Sequence, residues 1–390
     1  MFESDYQAIL PPIGRTYSLD LAECLDRLLA RVAGERGRIL TITFFAGAKG
    51  SGDYRRKKMI AARARDRAGI RAPWSFVAQP PEPPFHVSLY AETLPAGARA
   101  VVRRRRQGGF PYIVVESGSD RIVFASGLTG GPMRRNTAGR SDAALAAVGR
   151  ILAREGLSAG DIARQWNYLE GILAFRRTRR GRRQNYQEFN DRRRAFYAAS
   201  AFPAGYPAAT GIGARAGGVI VDFRAWAPRR GLRIIPLSNP FQADAHRYSQ
   251  NVLVGGAGPG GRPKAAPLFE RAKFIGGVTS GLVYVSGTAA IRDQAVVEVG
   301  DAAAQTRITI ANIRRLISAD NLRRQGIAAR GKSAPLSYLR AYMRRRRDIP
   351  VVRAVCRDVF GEIPAHFVQA DICRDELLVE LEGVVRIDLK

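Results

Sequence analysis

Hydrophobic and polar positions along the chain fall into two rhythms, and the rhythms repeat. Residues 122–128 read IVFASGL and residues 282–288 read LVYVSGT, runs of apolar and β-branched or aromatic residues that end in Ser-Gly, as a strand reaching a turn does. Behind each run, apolar positions at helical spacing over 143–155 and 302–317 predict a helix, with RILA (150–153) falling against RRLI (314–317). A strand is predicted next at 168–175 (YLEGILAF) and 338–343 (YLRAYM), followed by a second helix and a closing strand at 217–223 (GGVIVDF) and 377–385 (LLVELEGVV). The order strand, helix, strand, helix, strand thus occurs twice, about 160 residues apart. A partial copy precedes them: LTITFF (40–45), a helical stretch at 53–67, a turn at Pro73 and VSLYAE (87–92) repeat the back half of the unit. The expected fold is α/β (α+β), with mixed sheets and helices packed on one face of each. Two full modules and a degenerate one are expected to close into an intramolecular pseudo-trimer, divided into an N-terminal domain, 1–228, and a C-terminal domain, 229–390. Ordinary α/β alternation with chance matches is the alternative.

Length and composition narrow this picture. The 390 residues suffice for two or three domains. No apolar stretch approaches the ~18 residues of a membrane span, and the opening MFESDYQAIL lacks the order of a signal peptide. Cys24, Cys356 and Cys373 are an odd count without CxxC spacing, so a reduced, cytoplasmic setting is expected. The net charge of +29 first suggests nucleic acid. Yet 56 of the basic residues are Arg and only seven are Lys, alongside abundant Ala and Gly, which fits a compositional bias. No nucleic-acid partner is therefore expected.

Most chemical signatures are missing. The Pro/Gly-rich stretches 80–84 and 255–267 read as loops, and the GxG pattern in the second runs into Pro263 with no helix start. His86, His246 and His366 lack metal-ligand spacing, and neither a GxSxG elbow nor a P-loop occurs. The unusual feature is the last strand, where Glu380 and Glu382, two apart, share one face of an apolar run. Pattern alone favours a solvated sheet face; in a dry pocket, burial would raise a carboxyl's pKa and make it a candidate general acid. Cys373 enters that strand seven residues before Glu380. The arginine clusters at 103–106, 176–183 and 344–347 read mostly as solvated faces, with Arg193 and Arg344 the candidate forks for a substrate carboxylate.

The C-terminal portion, with NPFQADAHRYSQNVLVGG (239–256), LVYVSGTA (282–289), GDAAAQTRITIANIRRL (300–316) and VELEG (379–383), resembles the RidA (YjgF) family. It departs from the imine deaminases of that family where His366, in IPAHFVQAD, takes the place of a carboxylate-holding Arg. Residues 37 to 390 resemble a more specific relative, the chorismatases, through PWSFVAQPP (73–81), RQWNYLEGIL (164–173), NYQEFNDRRRAFY (185–197), YPAATGIG (206–213), PLSNPFQADAHRYSQ (236–250), FERAK (269–273), VSGTA (285–289) and DICRDELLVELEG (371–383). The resemblance implies a RidA-like fold and cleavage of the enolpyruvyl ether of chorismate to pyruvate, without a cofactor or metal. It places the catalytic acid on Glu380 and carboxylate recognition on Arg344 and Arg193, with Tyr168, Tyr206, Thr210 and Gly211 lining the site. Cys373 and Gly287 resemble the aromatising type, which yields 3-hydroxybenzoate, with 4-hydroxybenzoate as a companion product. Hydrolysis to a dihydroxycyclohexadiene carboxylate, RidA-like imine deamination and nucleic-acid binding are the alternatives. With three modules in one chain, a monomer is expected.

Overall fold

The computed structural model of the chain describes residues 5–9, 20–130, 136–178, 181–257, 261–331 and 335–390. Residues 1–4 and 10 of the opening decapeptide, residues 179–180 of the arginine run 176–183 and residues 258–260 of the loop 255–267 lie outside them.

Module one contains β1 (Asp5–Ile9), α1 (Leu21–Ala30), β2 (Ile39–Ala46), α2 (Ser51–Arg67), β3 (Trp74–Val77) and β4 (Val87–Thr93). Module two begins with β5 (Val101–Gln107) and β6 (Phe110–Ser117). It then runs through β7 (Asp120–Thr129), α3 (Thr137–Arg154), β8 (Ile162–Glu170), the hairpin β9 (Phe175–Thr178) and β10 (Gly181–Gln184), α4 (Asn185–Tyr197), β11 (Ala208–Ala214) and β12 (Val219–Trp226). Module three begins with β13 (Arg233–Leu237) and β14 (Ala272–Gly276). It continues with β15 (Ser280–Ala289), the short β16 (Ile291–Arg292) and β17 (Ala295–Val296), α5 (Ala302–Leu316), α6 (Ala319–Arg324), β18 (Leu336–Met343), α7 (Ile349–Phe360), β19 (Ala365–Gln369) and β20 (Val379–Asp388).

The three sheets share one core order, β1-β4-β2-β3, β7-β12-β8-β11 and β15-β20-β18-β19. In each, the outermost pair is parallel and the others antiparallel. Module one is therefore not degenerate. It has the whole strand and helix set of the core; among the described residues it differs only in having no counterpart of the two leading strands, β5-β6 or β13-β14, that widen the other sheets to six strands. The short parallel strands β11 and β19, absent from the expected order, complete the unit. The first helix of every module opens on a side-chain cap, Asp20, Asn136 or Asp301, whose oxygen accepts a backbone N–H three residues on. The expected domain limit at residue 228 falls in the connection from β12 to β13.

Strand alternation decides what faces what. On β12, Val219, Val221, Phe223 and Ala225 turn to α3 and α4, while Ile220, Asp222, Arg224 and Trp226 turn to the other modules. On β20, Val379, Leu381 and Val385 pack under the helices, leaving Glu380, Glu382 and Val384 to the shared interior. Helices thus cover one face of each sheet and the opposite faces of all three meet, as the pseudo-trimer expectation requires. The meeting point is not purely apolar. Arg164, Arg224 and Arg340 are almost wholly buried there with Glu92, Asp222 and Glu382, and all three guanidinium groups stack on the Trp166 ring at 4.4, 5.2 and 5.9 Å. Paired, hydrogen-bonded charges are the form in which such groups persist inside a protein. No helix among the described residues is long and apolar enough to cross a membrane.

Candidate active site

The seam between β11 of module two and β15 of module three opens into a cleft. Four segments line it: β20 with Glu380, the end of β15 with Gly287 and Ala289, β11 with Ala209 and Gly211, and α4 with Tyr186 and Asn190. The connection from β13 to β14 roofs it. That connection has a small core of its own, around Ala245, Tyr248, Leu253 and Ala266, and contributes Tyr248, Phe269 and Arg271. The turn before β20 supplies Cys373 and Arg374.

Glu380 and Glu382 point the same way from β20, yet their surroundings push them apart. Glu382 accepts hydrogen bonds from Arg164 Nη2 (2.7 Å), Trp166 Nε1 (2.8 Å) and the Thr210 hydroxyl, and Arg340 Nη1 lies 3.2 Å away. Burial opposes its ionisation, but Arg164 and Arg340, with the bonds from Thr210 and Trp166, hold its carboxyl below the usual range. Glu380 has no cation paired to it among the described residues. Burial, reinforced by the Glu382 charge and opposed by Arg164, pushes it up to about 8. One carboxylate is fixed and charged while the other keeps its proton at neutral pH, a division suited to general-acid chemistry. The solvated sheet face favoured by the sequence pattern is thus corrected: both glutamates are buried, because the face that pattern leaves open is covered by module two.

Glycine makes room for this arrangement. A Cβ on Gly287 would stand 2.1 Å from Glu380 Oε1, so any side chain there displaces the acid. The Gly287 amide donates to Thr210 Oγ1 at 3.0 Å, joining the seam to the Glu382 anchor. Cys373 lines the cleft, and burial, then the neighbouring Glu380 charge, pushes its thiol up to about 12. It is a neutral thiol at physiological pH, small and weakly polar, rather than a thiolate nucleophile. Two guanidinium groups flank Tyr248: Arg271, whose Nη2 donates to the Tyr248 hydroxyl at 2.7 Å, and Arg374, whose guanidinium lies 5.0 Å from the ring centre.

A family profile described as chorismatase FkbO/Hyg5-like, N-terminal, matches residues 102–225. A chorismatase of Streptomyces hygroscopicus is 36% identical over 278 residues, spanning 70% of this chain and 76% of that protein. The chain belongs to the chorismatase family. A 3-hydroxybenzoate synthase of the same organism is 33% identical over 241 residues, 57% of this chain and 63% of that one. A solved chorismatase structure matches 98% of both chains with a TM-score of 0.69 at 23% identity, which shows the shared fold.

Against this chorismatase-family framework, the residues singled out from sequence separate into three groups. Glu380, Cys373, Gly287 and Gly211 meet in the cleft. Thr210 and Arg193 stand directly behind it, the first on Glu382 and the second on Asn190. Arg344, Tyr168 and Tyr206 do not line it. Arg344 leaves the end of β18 on the far side and pairs with Asp375 at 2.7 Å, beside a separate depression shared with Arg215. Tyr168 alternates inward on β8 to the shared centre, where its hydroxyl accepts from Arg340 Nη1 at 3.1 Å. Tyr206 stacks on Tyr197 and packs at a tilt against Phe202, and its backbone N–H donates to Glu270. His366 is wholly buried among Phe45, Tyr90 and Tyr338, and burial, with Arg340 nearby, pushes it down to about 3. Sequence reasoning missed Arg271, Arg374, Tyr186 and Tyr248. The available signal was position: Arg271 sits inside FERAK and Arg374 directly follows Cys373, both within family stretches.

Proposed function

We propose that this chain is a chorismatase that cleaves the enolpyruvyl ether of chorismate to pyruvate and 3-hydroxybenzoate. The observation that carries the reading is Glu380, a carboxylic acid held protonated to about pH 8 beside a fixed carboxylate and among cleft-lining arginines. Chorismate is a dianion with an electron-rich enol ether. Glu380 gives its proton to the methylene carbon of that ether, and the neighbouring oxygen takes up the resulting positive charge. Glu382, kept ionised on the same strand face, favours that cation electrostatically. Arg271 and Arg374 are the cations the cleft offers to the two substrate carboxylates, in place of Arg344.

The bond from ring C3 to the ether oxygen then breaks and pyruvate leaves with that oxygen, while the 4-hydroxyl oxygen bonds to C3 and returns its proton to Glu380. The C3 proton passes to that oxygen as its bond to C4 opens and the ring aromatises to 3-hydroxybenzoate. Pyruvate and 3-hydroxybenzoate together contain the atoms of chorismate, whereas the dihydroxycyclohexadiene acid takes up one water. Gly287 and the neutral Cys373 thiol offer little to hold a water beside the reacting carbon, which favours the aromatic product. The three cysteines are free, in keeping with a reducing cytoplasmic setting. Because the modules meet one another within the chain, we read it as a monomer with no nucleic-acid partner. The N-terminal domain, 1–228, supplies α4 and β11, and the C-terminal domain, 229–390, supplies the acid. Incubation with chorismate is expected to release pyruvate and 3-hydroxybenzoate in equal amounts. Absence of pyruvate overturns the reading, and pyruvate accompanied by the diol acid overturns the product assignment alone.

A further inference from the structure

We infer that, with substrate bound, Arg193, Asn190 and Tyr186 complete a hydrogen-bond string along α4 that aims the Tyr186 hydroxyl, as a donor, at a substrate oxygen beside Glu380. The substrate part of this inference rests on the proposed function; the string does not. Positions 186, 190 and 193 follow the spacing that places side chains on one helix face. Arg193 lies at the inner end, 1% exposed, with no carboxylate bonded to it among the described residues. A buried guanidinium without a counter-ion is costly, and it has one directed bond: Nη2 donates to Asn190 Oδ1 at 2.8 Å. Guanidinium offers donors only, so the atom of Asn190 facing it must be the amide oxygen, and Nδ2 must face the other way.

Asn190 Nδ2 is buried and has no partner at hydrogen-bond distance among the described residues, although the residue lines the cleft. The group it acts on is Tyr186, one turn back. Burial and the nearby Cys373 and Glu380 raise the Tyr186 phenol above its usual range, and Arg193 and the Asn190 amide pull against them. An oxygen that accepts from Asn190 leaves the hydroxyl hydrogen to be given to the cleft, on the side where Glu380 and Cys373 lie. Asn190 Nδ2, unpartnered without a ligand, is the donor that reaches the Tyr186 oxygen when substrate closes the site, as catalytic hydrogen bonds often do. Gly211 secures the ring: a Cβ there would come within 2.9 Å of Tyr186 Cε2. Two glycines thus each make room for one side chain, Gly287 for the acid and Gly211 for the phenol.

Arg193 and Asn190 are positioning residues and Tyr186 touches the substrate, which makes the contributions non-additive. Tyr186→Phe is expected to lower kcat/KM for chorismate by about 10- to 100-fold while leaving the fall in rate above about pH 8 in place. Asn190→Leu and Arg193→Met are expected to match that loss singly, yet to add less than about twofold in the Tyr186→Phe background. Arg193→Lys, which keeps a donor, should retain most of the activity and covers the case in which Arg193→Met fails to fold. Losses that multiply would overturn the string. A readout without substrate is the carbon resonance of the Tyr186 ring in protein made with labelled tyrosine, assigned by its absence in Tyr186→Phe. It should move in both Asn190→Leu and Arg193→Met. If it stays put in either folded variant the string is wrong, whether or not the chain turns over chorismate.

Discussion

Two seams of the molecule are built from the same strands and end differently. Between modules two and three, β11 meets β15; between modules one and two, β3 meets β7. The registers Thr288↔Leu381 and Leu128↔Val221 set Glu382 against Asp222 and Glu380 against Ile220. The anchor occurs at both seams. Asp222 accepts from Ser75 Oγ (2.5 Å) and the Gly127 amide (2.8 Å), much as Glu382 accepts from Thr210 while Thr210 accepts from the Gly287 amide. Of these two seams only one has the acid, because an isoleucine stands in its place at the other. The ground in front of it differs too: a Cβ on Gly127 would strike the Trp74 carbonyl oxygen at 2.2 Å, whereas at Gly287 the obstacle is the acid. A buried carboxylate tied to a hydroxyl and a glycine amide is therefore how modules join at both of these seams, and the proposed chemistry calls for the second carboxyl added beside it.

The strongest challenge to that comparison is paired substitution of the carboxyls. Glu380→Gln should lower kcat by about 10³-fold in a pyruvate-release assay, whereas Asp222→Asn, at the closed seam, should leave turnover near that of the unaltered enzyme. If both substitutions damaged the rate alike, the seams would not be functionally distinct.

Stability should respond in opposite directions at the two glutamates. Glu380 titrates near 4.5 when unfolded and near 8 when folded, so the unfolded chain sheds a proton that the native state keeps. Stability therefore falls as pH rises from about 4.5 to about 8 and then levels off. Glu380→Gln removes that penalty and should stabilise the protein at pH 8 by on the order of 3–5 kcal/mol in denaturant titrations. Glu382 has the opposite sign: its stabilisation is present above its unfolded pKa and is lost as pH falls through its lowered native value. Glu382→Ala leaves Arg164 and Arg340 buried without their partner and should cost about 3–5 kcal/mol.

On the proposed mechanism the same proton sets the rate. kcat/KM should be level below about pH 8 and fall tenfold per unit above it as Glu380 loses its proton, and a flat profile to pH 9.5 would remove Glu380 from the role. The finest probe is one substitution made twice. Gly127 holds φ +75° against the Trp74 carbonyl, so Gly127→Ala should lower stability by about 1–3 kcal/mol with the products unchanged. Gly287→Ala should instead crowd Glu380 and move the products toward the diol acid, as should Cys373→Ala, with melting temperature little altered.

Much of this architecture is legible in the order of residues alone. Strand alternation puts Glu380 and Glu382 on one face, and the Ser-Gly turns and matching helices show two modules outright and a third in part. What the pattern does not carry is the identity of each residue's partners. Two glutamates on one face look alike until Arg164, 218 residues away in sequence, arrives beside only one of them. Arg344 looks well placed because it ends a central strand, but the chain turns Asp375 back onto it. The first module looks incomplete because its opening strand and helix carry no Ser-Gly signature, although Cys24, Leu25, Leu28 and Leu29 form a buried helical stripe. Arg271, Tyr248 and Arg374 lie on connections, where neither period operates and only tertiary structure brings side chains together.

Joining the three modules by peptide links has a consequence for copy number. A ring of identical subunits must repeat every substitution at each of its seams, so an acid placed at one appears at all, together with its cost in stability. Here Ile220 can stand where Glu380 stands because the two are separate codons in one reading frame. One active-site equivalent per 390 residues, countable by titration with a tight inhibitor, is the stoichiometry that follows.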